Sequence, residues 1–217
     1  MSSKKQFIKL LRNNKIRKKV IDSCERIDQD DFFDPIFKKS FYTEDPIPIG
    51  YGETSDPPIA LARMLHLLPS RKDVRVLEIG TGSGYSTALL SQIASQVVTI
   101  EYHENLGVAA KEHLLKLSIP NVKIFAGDGT ALEAAFDPFD AILIFAACHK
   151  RPLALMRYLK SDGMIIFPMG PPHQQQITVL GIEDDSAGVY RTHFHDFCTF
   201  QPIRGIYGIE LLRSYEP

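Results

Sequence analysis

One stretch constrains the fold more than any other: Val74-Arg75-Val76-Leu77-Glu78-Ile79-Gly80-Thr81-Gly82-Ser83-Gly84-Tyr85-Ser86-Thr87-Ala88-Leu89-Leu90. Val74 to Ile79 is β-branched and apolar, the composition of a strand buried in a parallel sheet. Three glycines follow at alternate positions, and helix formers begin at Tyr85. Strand, tight turn and helix make half of a βαβ nucleotide-binding unit. Glycine suits the turn because the backbone there takes unusual dihedrals and lets a ligand approach closely. The helix that follows offers unpaired N–H groups and a positive dipole end to the same ligand.

Spacing selects among ligands. The dinucleotide fingerprint G-x-G-x-x-G would require a third glycine where this chain has Tyr85, so NAD does not fit. The observed G-x-G-x-G, with Glu78 two positions ahead of Gly80, resembles the motif of class I methyltransferases that bind S-adenosylmethionine (SAM). Val97 to Ile100 reads as the second strand and ends in Glu101, 21 residues after Gly80. That is close to the spacing at which a carboxylate accepts hydrogen bonds from ribose hydroxyls. Gly127-Asp128-Gly129 forms another sharp turn, at the carboxyl end of a third strand at 122–125. Ligands of open α/β sheets bind at such ends.

The remaining pattern alternates strands with helices. Apolar periodicity predicts helices at 59–68, 85–93 and 104–117, and a helix near 152–159. Further strands are expected at 139–145 and 163–167, then an antiparallel pair at 175–182 and 190–200. Residues 4–19 carry eight Lys/Arg and no acid, whereas 22–34 turn acidic. They read as two short solvated helices leading into the domain, with a turn at Asn13-Asn14. Residues 32–58 are rich in Pro, Gly and aromatics, and residues before proline avoid the α region. A long irregular segment of this kind is usually functional. The expected organisation is an N-terminal helical segment and lid at 1–58, then a methyltransferase domain at 59–217, forming one compact unit.

Composition excludes several classes. The chain has 217 residues, 44% apolar and 24% charged, with net charge −1, so no basic field argues for nucleic acid. No apolar run reaches the roughly 20 residues of a membrane span, and the basic N-terminus lacks the apolar core of a signal peptide. Cys24, Cys148 and Cys198 are widely spaced without a C-x-x-C, as expected of buried free thiols in a reducing cytoplasm. His193-x-His195 puts two imidazoles on one strand face, but no third ligand has suitable spacing, so no metal is expected.

Several segments together resemble protein-L-isoaspartate O-methyltransferases over nearly the whole chain. They are Asp45-Pro46-Ile47-Pro48-Ile49-Gly50-Tyr51-Gly52-Glu53-Thr54, the glycine turn, Gly127-Asp128-Gly129, Pro138-Phe139-Asp140-Ala141-Ile142, Phe167-Pro168-Met169-Gly170 and Gln201-Pro202-Ile203-Arg204-Gly205. The resemblance implies a doubly wound, mostly parallel seven-stranded sheet whose last two strands are exchanged in order relative to other class I methyltransferases. It implies a SAM-dependent enzyme that methylates the free α-carboxyl of isoaspartyl residues in damaged proteins; a monomer is expected. It assigns Glu78, Gly80, Thr81, Gly82, Ser83, Gly84 and Tyr85 to the methionine end of SAM. Glu101 and Tyr102 fall to the ribose, and Asp128 and Gly129 to the adenine.

The chain departs from the family in the lid. Where members read Gln-Thr-Ile-Ser, this chain reads Glu53-Thr54-Ser55-Asp56, placing Asp56 where the active-site serine is expected. The candidate catalytic residues are therefore Asp56, Ser55 and Thr54. A serine hydroxyl can donate to an incoming carboxylate; an ionised aspartate cannot, and it repels one. Three outcomes are open. Asp56 is protonated and donates; or it points away while Ser55 or Thr54 donates; or the acceptor is not a carboxylate. The last leaves room for a methyltransferase with another acceptor, or a SAM-binding protein without catalysis.

Overall fold

The computed structural model describes residues 4–133, 135–171, 174–184, 188–206 and 208. Among the described residues the named α-helices are α1 (Lys4–Asn13), α2 (Lys18–Arg26), α3 (Pro58–His66), α4 (Tyr85–Ser91) and α5 (Glu104–Lys116). A small hairpin is made by β1 (Pro48–Gly50) and β2 (Glu53–Thr54). The main sheet comprises β3 (Arg75–Ile79), β4 (Gln96–Glu101), β5 (Val122–Ala126), β6 (Phe139–Ile144), β7 (Leu159–Met169), β8 (Gln175–Asp184) and β9 (Val189–Cys198).

The sheet order is β5-β4-β3-β6-β7-β8-β9. β3 to β7 pair in parallel, and β8 and β9 add antiparallel. The last two strands thus follow β7 in chain order, the exchanged arrangement expected from the resemblance. From β3 the chain first winds outward through β4 to β5, then returns to place β6 on the other flank of β3. That reversal opens a crevice at the carboxyl ends of β3, β4 and β6. Continuous apolar runs make the central strands: every residue of β6 is buried, with helices or loops covering both faces. β9 is mostly exposed, as an edge strand should be.

The two N-terminal helices exist, but they are not a solvated lead-in. Phe7, Ile8 and Leu11 of α1 and Val20, Ile21 and Cys24 of α2 join the same core as α3 and α4. Composition misled here because the many lysines and arginines occupy only the outer faces. The 7/8/11 and 20/21/24 spacings are the apolar stripes of amphipathic helices. The acidic stretch continues past α2 as a 3₁₀ turn at Gln29–Asp31, and the helix expected near 152–159 is 3₁₀ at Leu153–Tyr158. Residues 32–57 are irregular apart from the 3₁₀ turn Pro35–Phe37 and the β1–β2 hairpin.

Candidate active site

The crevice at the switch point holds a cleft of about 100 Å³ that is partly open to solvent. Its floor is the glycine turn. Gly80, Gly82 and Gly84 have φ of 94°, 53° and 88°, a region that side chains with a Cβ rarely occupy. A Cβ on Gly82 would also stand 3.3 Å from Ile49 Cδ1, across the cleft in the lid segment.

Glu101, at the tip of β4, lies at the cleft wall and is 5% exposed. Its Oε2 accepts the Gly82 N–H at 2.8 Å and its Oε1 accepts the His103 N–H at 2.9 Å. The carboxylate therefore clamps the glycine turn to the β4 end. Each oxygen retains a second lone pair, which can accept from a ligand hydroxyl. Below, Thr81 and Thr99 share a hydroxyl–hydroxyl bond of 2.6 Å.

Glu78 stands behind the floor. It is fully buried, and its two oxygens accept the Ser86 hydroxyl at 2.7 Å and the Thr87 hydroxyl at 2.6 Å, tying β3 to the start of α4. Burial pushes its carboxyl up to about 7, although the hydroxyls of Thr87, Thr99 and Ser86 favour the anion; the nearby Glu101 adds to the rise. Gly84 also faces away from the cleft: a Cβ there would meet Ala110 Cβ of α5 at 3.1 Å. Asp128 closes its own turn by accepting from the Thr130 N–H (2.8 Å) and hydroxyl (2.6 Å), and it accepts the Ile206 N–H at 2.7 Å. Gly129 does line the cleft, where a Cβ would come 2.5 Å from Ile79 Cγ2.

The lid supplies the opposite wall. Thr54, Ser55 and Asp56 all line the cleft. Ser55 is pinned to Ile47, accepting its N–H in the side chain at 3.0 Å and donating its own N–H to the Ile47 carbonyl at 2.8 Å. Thr54 Oγ1 accepts from Gln201 Nε2 at 3.2 Å. Asp56 is partly buried and makes no hydrogen bond or ion pair among the described residues. Desolvation, then the charges of Glu78, Glu101 and Glu53, push its carboxyl well above the usual range.

Of the residues expected at the site, Thr54, Ser55, Asp56, Gly80, Thr81, Gly82, Ser83, Tyr85, Glu101, Tyr102 and Gly129 line the cleft, whereas Glu78, Gly84 and Asp128 support it from behind. Sequence reasoning missed a clasp over the mouth. Glu53 Oε1 accepts from Arg204 Nε at 2.7 Å and lies 3.4 Å from His103 Nε2, and Tyr51 stacks on His103 with ring centroids 5.3 Å apart. Glu53 and Arg204 both sit in segments that carry the family resemblance. Their pairing across 151 residues has no local signal. His193 and His195 lie on β9, and among the described residues no group of three ligands could hold a metal.

A doubly wound sheet with a glycine turn, an acid at the second strand's end and a cleft between them defines a class I SAM-dependent methyltransferase. The comparisons narrow the class. The family model for protein-L-isoaspartate(D-aspartate) O-methyltransferase matches residues 2–203, and the chain belongs to that family. It is 40% identical to protein-L-isoaspartate O-methyltransferase 1 of Nitrosospira multiformis, over 86% of this chain and 78% of that one. It is 36% identical to the Koribacter versatilis enzyme, over 91% and 88%. A solved protein-L-isoaspartate O-methyltransferase superposes with a TM-score of 0.83 at 23% identity, covering 98% of this chain and 69% of that one. A Plasmodium falciparum structure described as a putative member in complex with S-adenosyl-L-homocysteine superposes at 0.71 with 22% identity, covering 93% and 98%.

Proposed function

We propose that this chain methylates the free α-carboxyl of isoaspartyl residues in damaged proteins, using SAM, as the first step of their repair. The observation that carries the reading is a shared wall. Thr54, Ser55 and Asp56 line the cofactor cleft and also a second cleft bounded by Glu44, Pro46, Gln175, Thr199 and Phe200. A donor held on one side and an acceptor entering from the other would meet there.

The chemistry of the residues lining the cofactor cleft suits SAM. The Gly80–Ser83 turn and Tyr85 would hold the methionine end, and the spare lone pairs of Glu101, beside Tyr102, would take the ribose hydroxyls. Gly129 would flank the adenine among Ile79, Ile100 and Leu106, its turn fixed by Asp128. SAM supplies a methyl group on a sulfonium, which passes to an acceptor oxygen as the S–C bond breaks and its electron pair stays on sulfur. An acceptor carboxylate with a pKa of about 4 is already ionised near neutrality, so this chain needs no strong base. Its task is to hold that carboxylate about 3–3.5 Å from the methyl carbon, in line, with water excluded. The Ser55 hydroxyl, fixed by the Ile47 N–H, keeps its proton free to donate to the acceptor.

The decisive experiment offers methyl-labelled SAM with an isoaspartyl peptide and with the same peptide carrying ordinary aspartate. Base-labile label on the isoaspartyl peptide alone is expected. Base-stable label, or equal labelling of both peptides, would refute the reading.

A further inference from the structure

Asp56 is anomalous on physical grounds. It stands on the wall common to the two clefts, where family members place a hydroxyl, yet it has no hydrogen-bonding or ionic partner among the described residues. Its charged surroundings are almost uniformly acidic. Glu53 of β2 and Glu101 of β4 line the same cleft, Glu78 of β3 adds its charge from behind the floor when ionised, and Glu44 lines the second cleft. The basic groups nearby are engaged elsewhere: the Arg204 guanidinium and the His103 imidazole both contact Glu53, and Arg63 acts on Glu44 and pairs with Asp196. An ionised Asp56 would be a partly buried anion beside the carboxylates of Glu53 and Glu101 with no cation of its own, an arrangement a protein avoids by keeping the group neutral.

We propose that Asp56 touches the acceptor in its protonated form, donating its O–H to the acceptor carboxylate as a catalytic residue, so that this enzyme methylates carboxylates best on the acid side of neutrality. The proposal rests on the isoaspartyl reading above. A carboxylic acid and a carboxylate share one proton favourably, whereas two carboxylates repel. The bond is made to the oxygen that does not receive the methyl group. The proton stays on Asp56 throughout, since an anion becomes a neutral ester and no proton is consumed. The raised titration range of Asp56 supports this state in the free protein.

The test is kcat/KM for an isoaspartyl peptide between pH 5 and pH 8.5, counting methyl ester and released methanol together, for wild type, Asp56→Ser and Asp56→Asn. Calorimetric binding of S-adenosylhomocysteine establishes that each variant retains its cofactor site. Wild type should hold a plateau at low pH and then lose tenfold per pH unit. Both variants should stay level and overtake wild type at the alkaline end by tenfold or more. Infrared difference spectra at pH 6 should show a carboxylic acid C=O band in wild type that Asp56→Asn lacks. Three superimposed profiles, or no such band, would overturn the role of Asp56 while leaving the isoaspartyl reading intact. So would variants inactive throughout while wild type works. Failure of all three proteins to methylate the peptide, with S-adenosylhomocysteine still bound, would overturn the acceptor assignment and the Asp56 role with it.

Discussion

The two glutamates of the cofactor half share a side-chain type but have opposite tasks. Glu101 lines the cleft, so Glu101→Ala unclamps the glycine turn and, on the reading proposed above, removes an acceptor for the ribose hydroxyls. SAM affinity should fall by at least about 1.5–3 kcal/mol, the range for a hydrogen bond to a charged group; an unchanged calorimetric titration would exclude Glu101 from the site. Glu78 never meets solvent, and its effect is on stability. Its folded pKa of about 7 lies above the unfolded value, so the stability it contributes is complete below the unfolded pKa and drains away as pH rises through the folded one. From pH 5 to pH 8 the loss should be on the order of 3 kcal/mol. Glu78→Gln, which can still partner Ser86 and Thr87, should flatten that slope in urea titrations. A wild-type slope persisting in the variant would disprove the assignment. From the sequence the two look alike, each an acid at or near a strand's end. Only the fold reveals that one side chain turns toward the cleft and the other under α4.

Between elements, the main tie is Asp140 at the head of β6. Its side chain is fully buried and accepts from Lys160 Nζ at 2.8 Å, from the Arg75 N–H at 2.7 Å and from Arg71. It thereby ties the loop before β3 and the start of β7 to the central strand. Burial alone would raise its carboxyl, but Lys160, the Arg75 amide and Arg71 outweigh it and hold the pKa below the usual value. Its stabilisation is therefore present above the unfolded pKa and lost as pH falls through the folded one, the reverse of Glu78. Asp140→Ala leaves the Arg75 N–H without its acceptor and should cost about 1–3 kcal/mol in chemical denaturation, the half-exposed Lys160 and Arg71 turning to water; a loss below 0.5 kcal/mol, on the order of a surface change, would mean that the network contributes little. The strands and helices themselves were legible, because the apolar runs of β3, β4 and β6 and the periodicity of α3 and α5 are local signals. Asp140 with its partners, and the Glu53–Arg204 clasp, join residues 20 to 151 positions apart. No window of sequence contains both ends of such contacts. Thr54–Asp56 fell between these extremes: the position was legible by resemblance, and the acidic ring around it only in three dimensions.

At the scale of the molecule, the N-terminal helices belong to the core. Deleting residues 1–27 would strip Phe7, Leu11, Val20 and Ile21 from the core they share with α3 and α4, roughly 10 kcal/mol of apolar burial as an upper figure. That matches the whole stability of an ordinary domain. The truncated chain should therefore lack a cooperative thermal transition; a sharp one would mean that the sheet folds alone. The same packing reaches the cleft. The rings of Phe32 and Phe33 lie 5.6 and 5.9 Å from Tyr85, and Phe33 and Tyr85 both line the cofactor cleft. A chain whose N-terminal segment walls its own cofactor site is a thermodynamic gauge of cofactor supply. At a hundred times its dissociation constant, bound S-adenosylhomocysteine should add about 2.7 kcal/mol against every opening that releases that wall. Proteolysis within residues 4–40 should slow in step with ligand concentration, and a cleavage rate indifferent to ligand would refute the coupling. Once SAM falls below its dissociation constant that added protection disappears, and the segment opens as readily as in the free protein.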